Sequence, residues 1–304
     1  MRGPFLHSSQ RTAAIMRQVL LALAPITVAA IWRHGAGAAL LVLAALSAAV
    51  TVEAVLARAS VSDGSAAVTG VLFALLLPAG APLWLAALGG ALAVGLGKHA
   101  FGGLGKNPFN PAALARVVLM GLLPVYFFAP AWRWDGVTQA SPLSKAAGAL
   151  LPSASALLAG DAPGALAQAA PWAVLLGGLV LLLLRSADWR IPLAYLAGVT
   201  LLVLVLPAGE RMAGHAPWLV GNPLPHLLSG GTLLTAFFLL TDPVTAPFSP
   251  PGKLVFAGVA ALVTVATRLY TPYPDGAALA VLTANACAPL IDRALVWRKL
   301  RRAG

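Results

Sequence analysis

Charge is what this 304-residue sequence has least of: Asp, Glu, Lys and Arg together make up 10%, where a soluble domain carries about a quarter. Cysteine is nearly absent too. Cys287 stands alone, which excludes an internal disulfide and a four-cysteine iron–sulfur site held within the chain. The histidines, His7, His34, His99, His215 and His226, include no pair at metal-ligand spacing, so no metal centre is expected from this chain alone. Acidic residues number 9 against 20 basic ones, for a net charge of +11. A basic chain can signal nucleic acid. Here the basic residues flank apolar runs instead of lining one polar face, so the partner they indicate is membrane lipid and not nucleic acid.

What is present in excess is hydrocarbon. Hydrophobic residues make up 60% of the sequence and mean hydropathy is +0.87. Apolar runs place about ten spans, near 14–32, 36–58, 65–80, 82–97, 109–128, 171–185, 190–207, 223–241, 252–270 and 275–295. The expected fold is an all-α polytopic membrane protein. The third, fourth and sixth runs are short, as half-helices or tilted segments are. Residues Met1 to Gln10 are polar and the first run lacks a small-residue cleavage site at its end, so it reads as a retained span. With an even number of spans both termini share a side. Of the 20 Lys and Arg, all but Arg33, Arg133, Lys145, Arg211 and Arg268 fall on that side. The positive-inside rule then puts the termini in the cytoplasm and the long 129–170 loop, with Trp132 and Trp134 at its start, on the outer face.

Residues 1–304 form one membrane domain that divides near residue 165 into five spans and five spans, halves of about 10–165 and 166–297. An odd number of spans per half forces the second half to insert upside down. Each half is read as carrying a Pro-and-polar break after its fourth span, Gly102-Gly103-Leu104-Gly105-Lys106-Asn107-Pro108-Phe109-Asn110-Pro111-Ala112 in the first and Leu240-Thr241-Asp242-Pro243-Val244-Thr245-Ala246-Pro247 in the second. Proline removes a backbone donor and interrupts a helix, leaving Asn, Thr and Asp to satisfy the freed groups or to bind something. The expectation is that the breaks occupy corresponding positions and meet near the midplane, with Asn107, Asn110, Thr241 and Asp242 forming a flavin pocket or an ion path. Surface turns remain the alternative, since Asn-Pro and Asp-Pro commonly start turns. The glycine pairs Gly89-Gly90, Gly102-Gly103, Gly177-Gly178 and Gly230-Gly231 are read as close helix contacts. Glu53 is either an intramembrane acid, which is expensive and therefore functional, or a boundary carboxylate facing Arg58. Asp275 and Asp292 read as surface residues.

The outer loop holds one distinctive stretch, Asp135-Gly136-Val137-Thr138-Gln139-Ala140-Ser141-Pro142-Leu143. It offers two hydroxyls beside an Asp-Gly turn, accessible as a surface loop allows. Taken by itself it could be an ordinary linker. It resembles the flavin-attachment motif of the RnfD/NqrB family, membrane subunits of ion-coupled redox complexes. Further resemblance lies in Phe101 to Ala112, in Gly231 to Ala246, in Tyr273-Pro274-Asp275-Gly276, in Ala284 to Asp292 and in Ser8-Ser9-Gln10-Arg11. It spans nearly the whole chain, in order, and is closest to RnfD.

The resemblance implies covalent FMN, joined by a phosphoester to Ser141, with Asp135, Gly136, Thr138 and Ala140 as the rest of the motif and Thr138 as rival acceptor. Ser141 stands where the family usually has Thr, and serine is chemically adequate. The resemblance also implies a second, non-covalent flavin (riboflavin or FMN) deeper in the membrane domain. The implied partners are a flavin transferase, a periplasmic covalent-flavin subunit, small six-span membrane subunits, and soluble iron–sulfur and NADH or ferredoxin modules. The implied role is that of the RnfD component of an Rnf-type complex in the bacterial inner membrane, passing electrons across it coupled to Na⁺ or H⁺ movement. It is a redox subunit and not an enzyme on its own. A solute channel or permease of the same ten-span architecture is the competing expectation, since fold alone does not decide function.

Overall fold

The computed structural model describes residues 12–128, 131–132, 138–139, 143, 153–162, 164–206, 221–271 and 275–303. Runs of Ala and Leu, strong helix formers, give helix within every one of the apolar stretches expected from sequence. Five helices are long and apolar enough to cross a bilayer: α1 (Thr12–His34), α2 (Ala36–Leu56), α4 (Leu83–Gly95, continued by a turn to Phe101), α12 (Pro250–Tyr270) and α13 (Ala277–Ala303, apolar to Val296). The chain is thus a multi-pass membrane protein. Shorter apolar helices are α3 (Ser65–Leu76), α5 (Pro111–Leu122), α8 (Pro171–Leu183) and α9 (Arg190–Val205). At 1.5 Å per residue the 12 residues of α3 reach about 18 Å, short of the roughly 30 Å hydrocarbon core. Between α5 and α8 lie the short helices α6 (Val125–Phe128) and α7 (Ala154–Ala159) and a two-residue ribbon pairing Trp132 with Thr138.

The stretch expected as one span near 223–241 is not one helix. It breaks into α10 (Pro223–Leu228), α11 (Thr232–Leu234) and a single π-helical turn, Thr235–Leu239. Gly230 and Gly231, expected as packing residues, adopt φ of 64° and 70°. They end α10 in a backbone conformation that only glycine takes cheaply. Gly102 and Gly103 likewise turn the chain, with φ of 100° and 95°. The other two pairs do pack. A Cβ on Gly90 would sit 2.2 Å from the carbonyl oxygen of Ala45, and one on Gly177 would sit 2.2 Å from that of Ala22. These close approaches seat α4 on α2 and α8 on α1. In the second half α9 lies along α12, joined by Tyr195 Oη and Thr264 Oγ1 at 2.9 Å.

Two arginines are buried in this apolar frame, and each meets the end of an interrupted helix. Arg116 in α5 donates to the carbonyl of Leu76, the last residue of α3, and to Asp275 Oδ2 at 2.6 Å. Asp275 is therefore not the surface residue expected: the chain after α12 brings it to the guanidinium, which otherwise would be an unpaired buried charge. Arg268 in α12 donates to the carbonyls of His226 (2.7 Å) and Gly230 (3.0 Å) and to Thr232 Oγ1 (2.9 Å), closing the break after α10. Part of the 129–170 loop is packed too. Leu166 N–H donates to Leu77 O at 2.9 Å, and Arg33 pairs with Asp161.

The glycine contacts separate packing from propensity. Gly177→Ala should destabilise the protein by about 1–3 kcal/mol, since the methyl collides with backbone. Gly258→Ala, where a Cβ meets nothing within 4 Å, should stabilise by about 0.5–1 kcal/mol through helix propensity. Thermal unfolding of the detergent-solubilised variants reads both, and a stable Gly177→Ala protein would refute the close packing of α1 on α8.

Candidate functional site

The two breaks meet. Asn110 caps the start of α5, its Oδ1 accepting from Ala113 N at 3.2 Å with Pro111 at the first helical position, the arrangement that favours a helix start. Its Nδ2 reaches the second break, 3.4 Å from Asp242 Oδ2 and 3.5 Å from Leu239 O. Its backbone N–H donates to Asn285 Oδ1 at 2.9 Å, and Asn285 Nδ2 lies 3.5 Å from Thr245 O. Asn285 of α13 thus ties the breaks from a third side. On the second break, Asp242 Oδ1 accepts from Val244 N at 3.0 Å and Thr241 Oγ1 donates to Phe237 O at 2.6 Å, a carbonyl inside the π-helical turn. Such turns gather at functional positions.

The expectation that the breaks correspond in the two halves does not hold by helix order. The first lies between the fourth and fifth long segments of its half, the second between the third and fourth. They adjoin because α13 packs against both α5 and the π-helical turn, and not because they are equivalent in helix order.

Between the breaks lies a narrow cleft of about 70 Å³, walled by α1, α3, α8 and the π-helical turn, smaller than the roughly 300–1,000 Å³ of an open small-molecule site. All four residues expected there, Asn107, Asn110, Thr241 and Asp242, line it. Asn107 is buried; its Nδ2 donates to Phe109 O at 3.0 Å, while its Oδ1 has no hydrogen-bond partner among the described residues. A buried acceptor left unfilled costs about 1–3 kcal/mol, so this atom calls for a donor from water or from a ligand.

Lys98, 1% exposed, also lines the cleft. Its Nζ donates to Glu53 Oε1 at 2.7 Å and to Ser65 Oγ at 2.6 Å, using two of the three donors of an ammonium. Glu53, 0% exposed, is further bonded by Ser60 Oγ and by His99 Nε2 at 2.8 Å. It is a buried acid, and its partners are Lys98 and His99 instead of Arg58. The reason is geometric: α2 ends at Leu56, and residues five apart do not share a helix face. Glu53 does not line the cleft; it acts on it through Lys98.

The motif expected to carry covalent flavin is seen only at its edges. Asp135, Gly136, Ala140 and Ser141 lie outside the described residues, and Thr138 is described only as backbone in the ribbon. Leu143, the last residue of the motif, is buried in the core, where a Cβ on Gly230 would meet its Cδ1 at 2.5 Å. The sequence reading gave no role to Lys98, His99, Asn285 or Arg116. For Lys98 a signal existed, since an acid buried in a span requires a cation and Lys98-His99 closes a neighbouring span.

A polytopic helical protein whose interrupted helices converge on a cleft lined by Asn, Thr, Asp and Lys among apolar side chains is a membrane protein built around an internal site. This chain belongs to the NQR2, RnfD, RnfE family, whose sequence profile matches residues 1–301. It is similar to the D subunit of the ion-translocating oxidoreductase complex of Halorhodospira halophila, at 36% identity over 95% of this chain and 92% of that protein. The D subunit of the same-named complex from Klebsiella pneumoniae is 36% identical, covering 95% of each. The D subunit of the Na(+)-translocating ferredoxin:NAD(+) oxidoreductase complex of Acetobacterium woodii is 35% identical over 96% of this chain and 91% of that protein. The family resemblance read from the motifs is borne out.

The Glu53–Lys98 pair yields a direct test. Lys98→Met strands a buried carboxylate and should cost about 3–5 kcal/mol, whereas Glu53→Gln combined with Lys98→Met should recover most of that loss. Chemical denaturation in detergent measures the cycle. A double-variant loss equal to the sum of the Glu53→Gln and Lys98→Met losses would show that the two side chains do not interact.

Proposed function

We propose that this chain is the RnfD component of an Rnf-type ion-translocating electron-transport complex in the bacterial inner membrane. The observation that carries the reading is similarity along nearly the full chain to proteins named as D subunits of ion-translocating oxidoreductase complexes. In this reading the chain crosses the membrane about ten times, with both termini cytoplasmic, as two inverted halves near 10–165 and 166–297. The packing supports it: α2 lies on α4 as α9 lies on α12, and α1 meets α8 as α5 meets α13, the pairing expected of halves related by a two-fold axis. The 129–170 loop is then periplasmic. It faces a covalent-flavin subunit there, while small six-span subunits and soluble iron–sulfur and NADH or ferredoxin modules complete the complex.

Ser141 carries FMN, attached by a flavin transferase, and the cleft between the breaks holds a second flavin without a covalent link. The polar side chains present suit that second group, and the cleft of about 70 Å³ must widen to admit it. Asn107 Oδ1 is an unfilled acceptor for a ring N–H, Lys98 keeps a donor for a carbonyl or a developing negative charge, and Asp242 and Thr241 offer acceptors to ribityl hydroxyls. A bound flavin supplies a carrier that accepts and passes electrons singly or in pairs. The protein orients it, excludes water with the apolar walls of α1 and α3, and places the Glu53–Lys98 charge pair at its edge.

The two flavin assignments separate cleanly. Intact mass of protein made with the transferase should exceed the apoprotein by one FMN, and Ser141→Ala should abolish the increment and the in-gel flavin fluorescence. Label retained in Ser141→Ala would move the acceptor to Thr138. Asn110→Leu and Asp242→Leu should lower extractable flavin by about tenfold per lost hydrogen bond and leave the Ser141 adduct intact. Normal flavin content with ion transport lost would instead make the cleft an ion path. For orientation, a periplasm-dependent reporter should stay silent after Gly304 and be active near Gly160; the opposite pair of results would invert the topology.

A further inference from the structure

A second recess lies beside the mouth of the cleft. It is a groove of about 620 Å³, formed where α8 ends and where α9 and α12 begin. Its charged lining is Arg185, Arg190 and Lys253 against one acid, Asp188. Lys253 Nζ reaches Asp188 Oδ2 at 2.8 Å and Arg190 Nη1 lies 3.3 Å from the same atom. Burial works against the charge of Asp188, yet the hydrogen bond from Lys253, the Arg190 backbone N–H and both cations together hold its carboxyl below the ordinary range. That one carboxylate leaves the groove with a surplus of positive charge. The starts of α9 and α12, the positive ends of their dipoles, add to it.

Arg185 is the telling residue. It has φ of 54°, and it is the one non-glycine residue with positive φ among the described residues. It ends α8 in a Schellman turn: Arg185 N–H bonds Leu182 O at 3.1 Å and Ser186 N–H bonds Leu181 O at 3.0 Å. Glycine is the residue that takes this position without strain. An arginine there is explained by its side chain and not by its backbone.

The surroundings say what the surplus charge meets. Trp189, 54% exposed, lies with its ring 5.3 Å from the Arg190 guanidinium carbon, and Phe248 is 86% exposed. Aromatic side chains at helix ends mark the membrane–water interface. Directly along the same helices run exposed apolar residues: Leu183 on α8, Leu193 on α9, and Leu254 and Val255 on α12. A ligand that fits the whole surface carries an anionic phosphate at one end and acyl chains at the other. We propose that this groove is a binding site for the headgroup of an anionic phospholipid, with its phosphate held by Arg185, Arg190 and Lys253 and its chains lying against α9 and α12. The site is independent of the flavin reading. It stands at the mouth of the cleft, which shares Ser186, Ala187, Thr241 and Pro243 with it, so a bound headgroup covers one rim of that opening.

The test uses the full chain in nanodiscs of equimolar phosphatidylglycerol and phosphatidylcholine, extracted into detergent, with retained lipid read by native mass spectrometry. Wild type should retain phosphatidylglycerol over phosphatidylcholine. Arg185→Gly should lower that retention about fivefold, the usual effect of one cation at an anionic surface, and adding Lys253→Gln should lower it further. Because glycine relieves the left-handed backbone, the Tm of Arg185→Gly should be unchanged or higher, so lost retention cannot come from misfolding. Equal retention of the two lipids by wild type, or wild-type retention by Arg185→Gly, would overturn the proposal. So would displacement of the lipid by inorganic phosphate alone, which makes the site one for free anions, or an acidic protein co-purifying in the lipid's place.

Discussion

No water is available inside a bilayer to satisfy a backbone group, and a helix that stops there must be met by something else. That constraint organises this protein. Each interruption has its own answer: Arg116 at the end of α3, Arg268 at the end of α10, the Asn110 side chain at the start of α5. The answers carry charge or polarity into the apolar frame, and these must be satisfied in turn. Asp275 exists in its position because Arg116 does, and Asn285 because the Asn110 backbone N–H needs an acceptor. The cleft is the space left where these obligations converge.

Interrupted helices also explain why a ligand site can exist in so apolar a chain. Intact helices consume all their backbone groups and present only side chains. Breaking one frees carbonyls and amides at a defined depth, and Asp242 and Asn110 organise those freed groups around an opening. The unfilled Oδ1 of Asn107 is what that arrangement leaves over. Lys98 brings a cation to the same wall at the cost of burying Glu53, a pair that makes sense only if the positive charge is wanted at the cleft.

Much of this is legible in the sequence, and the illegible part has a pattern. Apolar runs mark the helices because the bilayer demands them locally. Asn107-Pro108 and Asp242-Pro243 mark the breaks because proline acts on its own helix. What the sequence cannot show is pairing across distance. Glu53 and Lys98 are far apart in the chain, and Arg58, nearer in number, is on the wrong face. Asp275 sits in a polar run that reads as surface. Gly230-Gly231 has the same letters as Gly177-Gly178, yet one pair turns the backbone and the other lets two helices touch. The flavin motif belongs to a third kind, in which a recognisable pattern of residues, and not local physics, suggests the role.

The Arg116–Asp275 contact has a consequence for how the protein is made. The two residues are 159 apart, and nearly the whole second half is synthesised between them. Until the second half arrives the Arg116 guanidinium has the Leu76 carbonyl and the Phe127 ring for company but no counter-charge, and an arginine held at depth costs about 2.5–3.5 kcal/mol on the scale set by the insertion machinery. The first half is therefore inserted as an incomplete body, carrying an unmet charge until the last hairpin arrives. Quality control that senses exposed charge in the membrane would recognise a truncated chain by this one residue, and release of the finished protein to its partners would await the moment Asp275 closes on it.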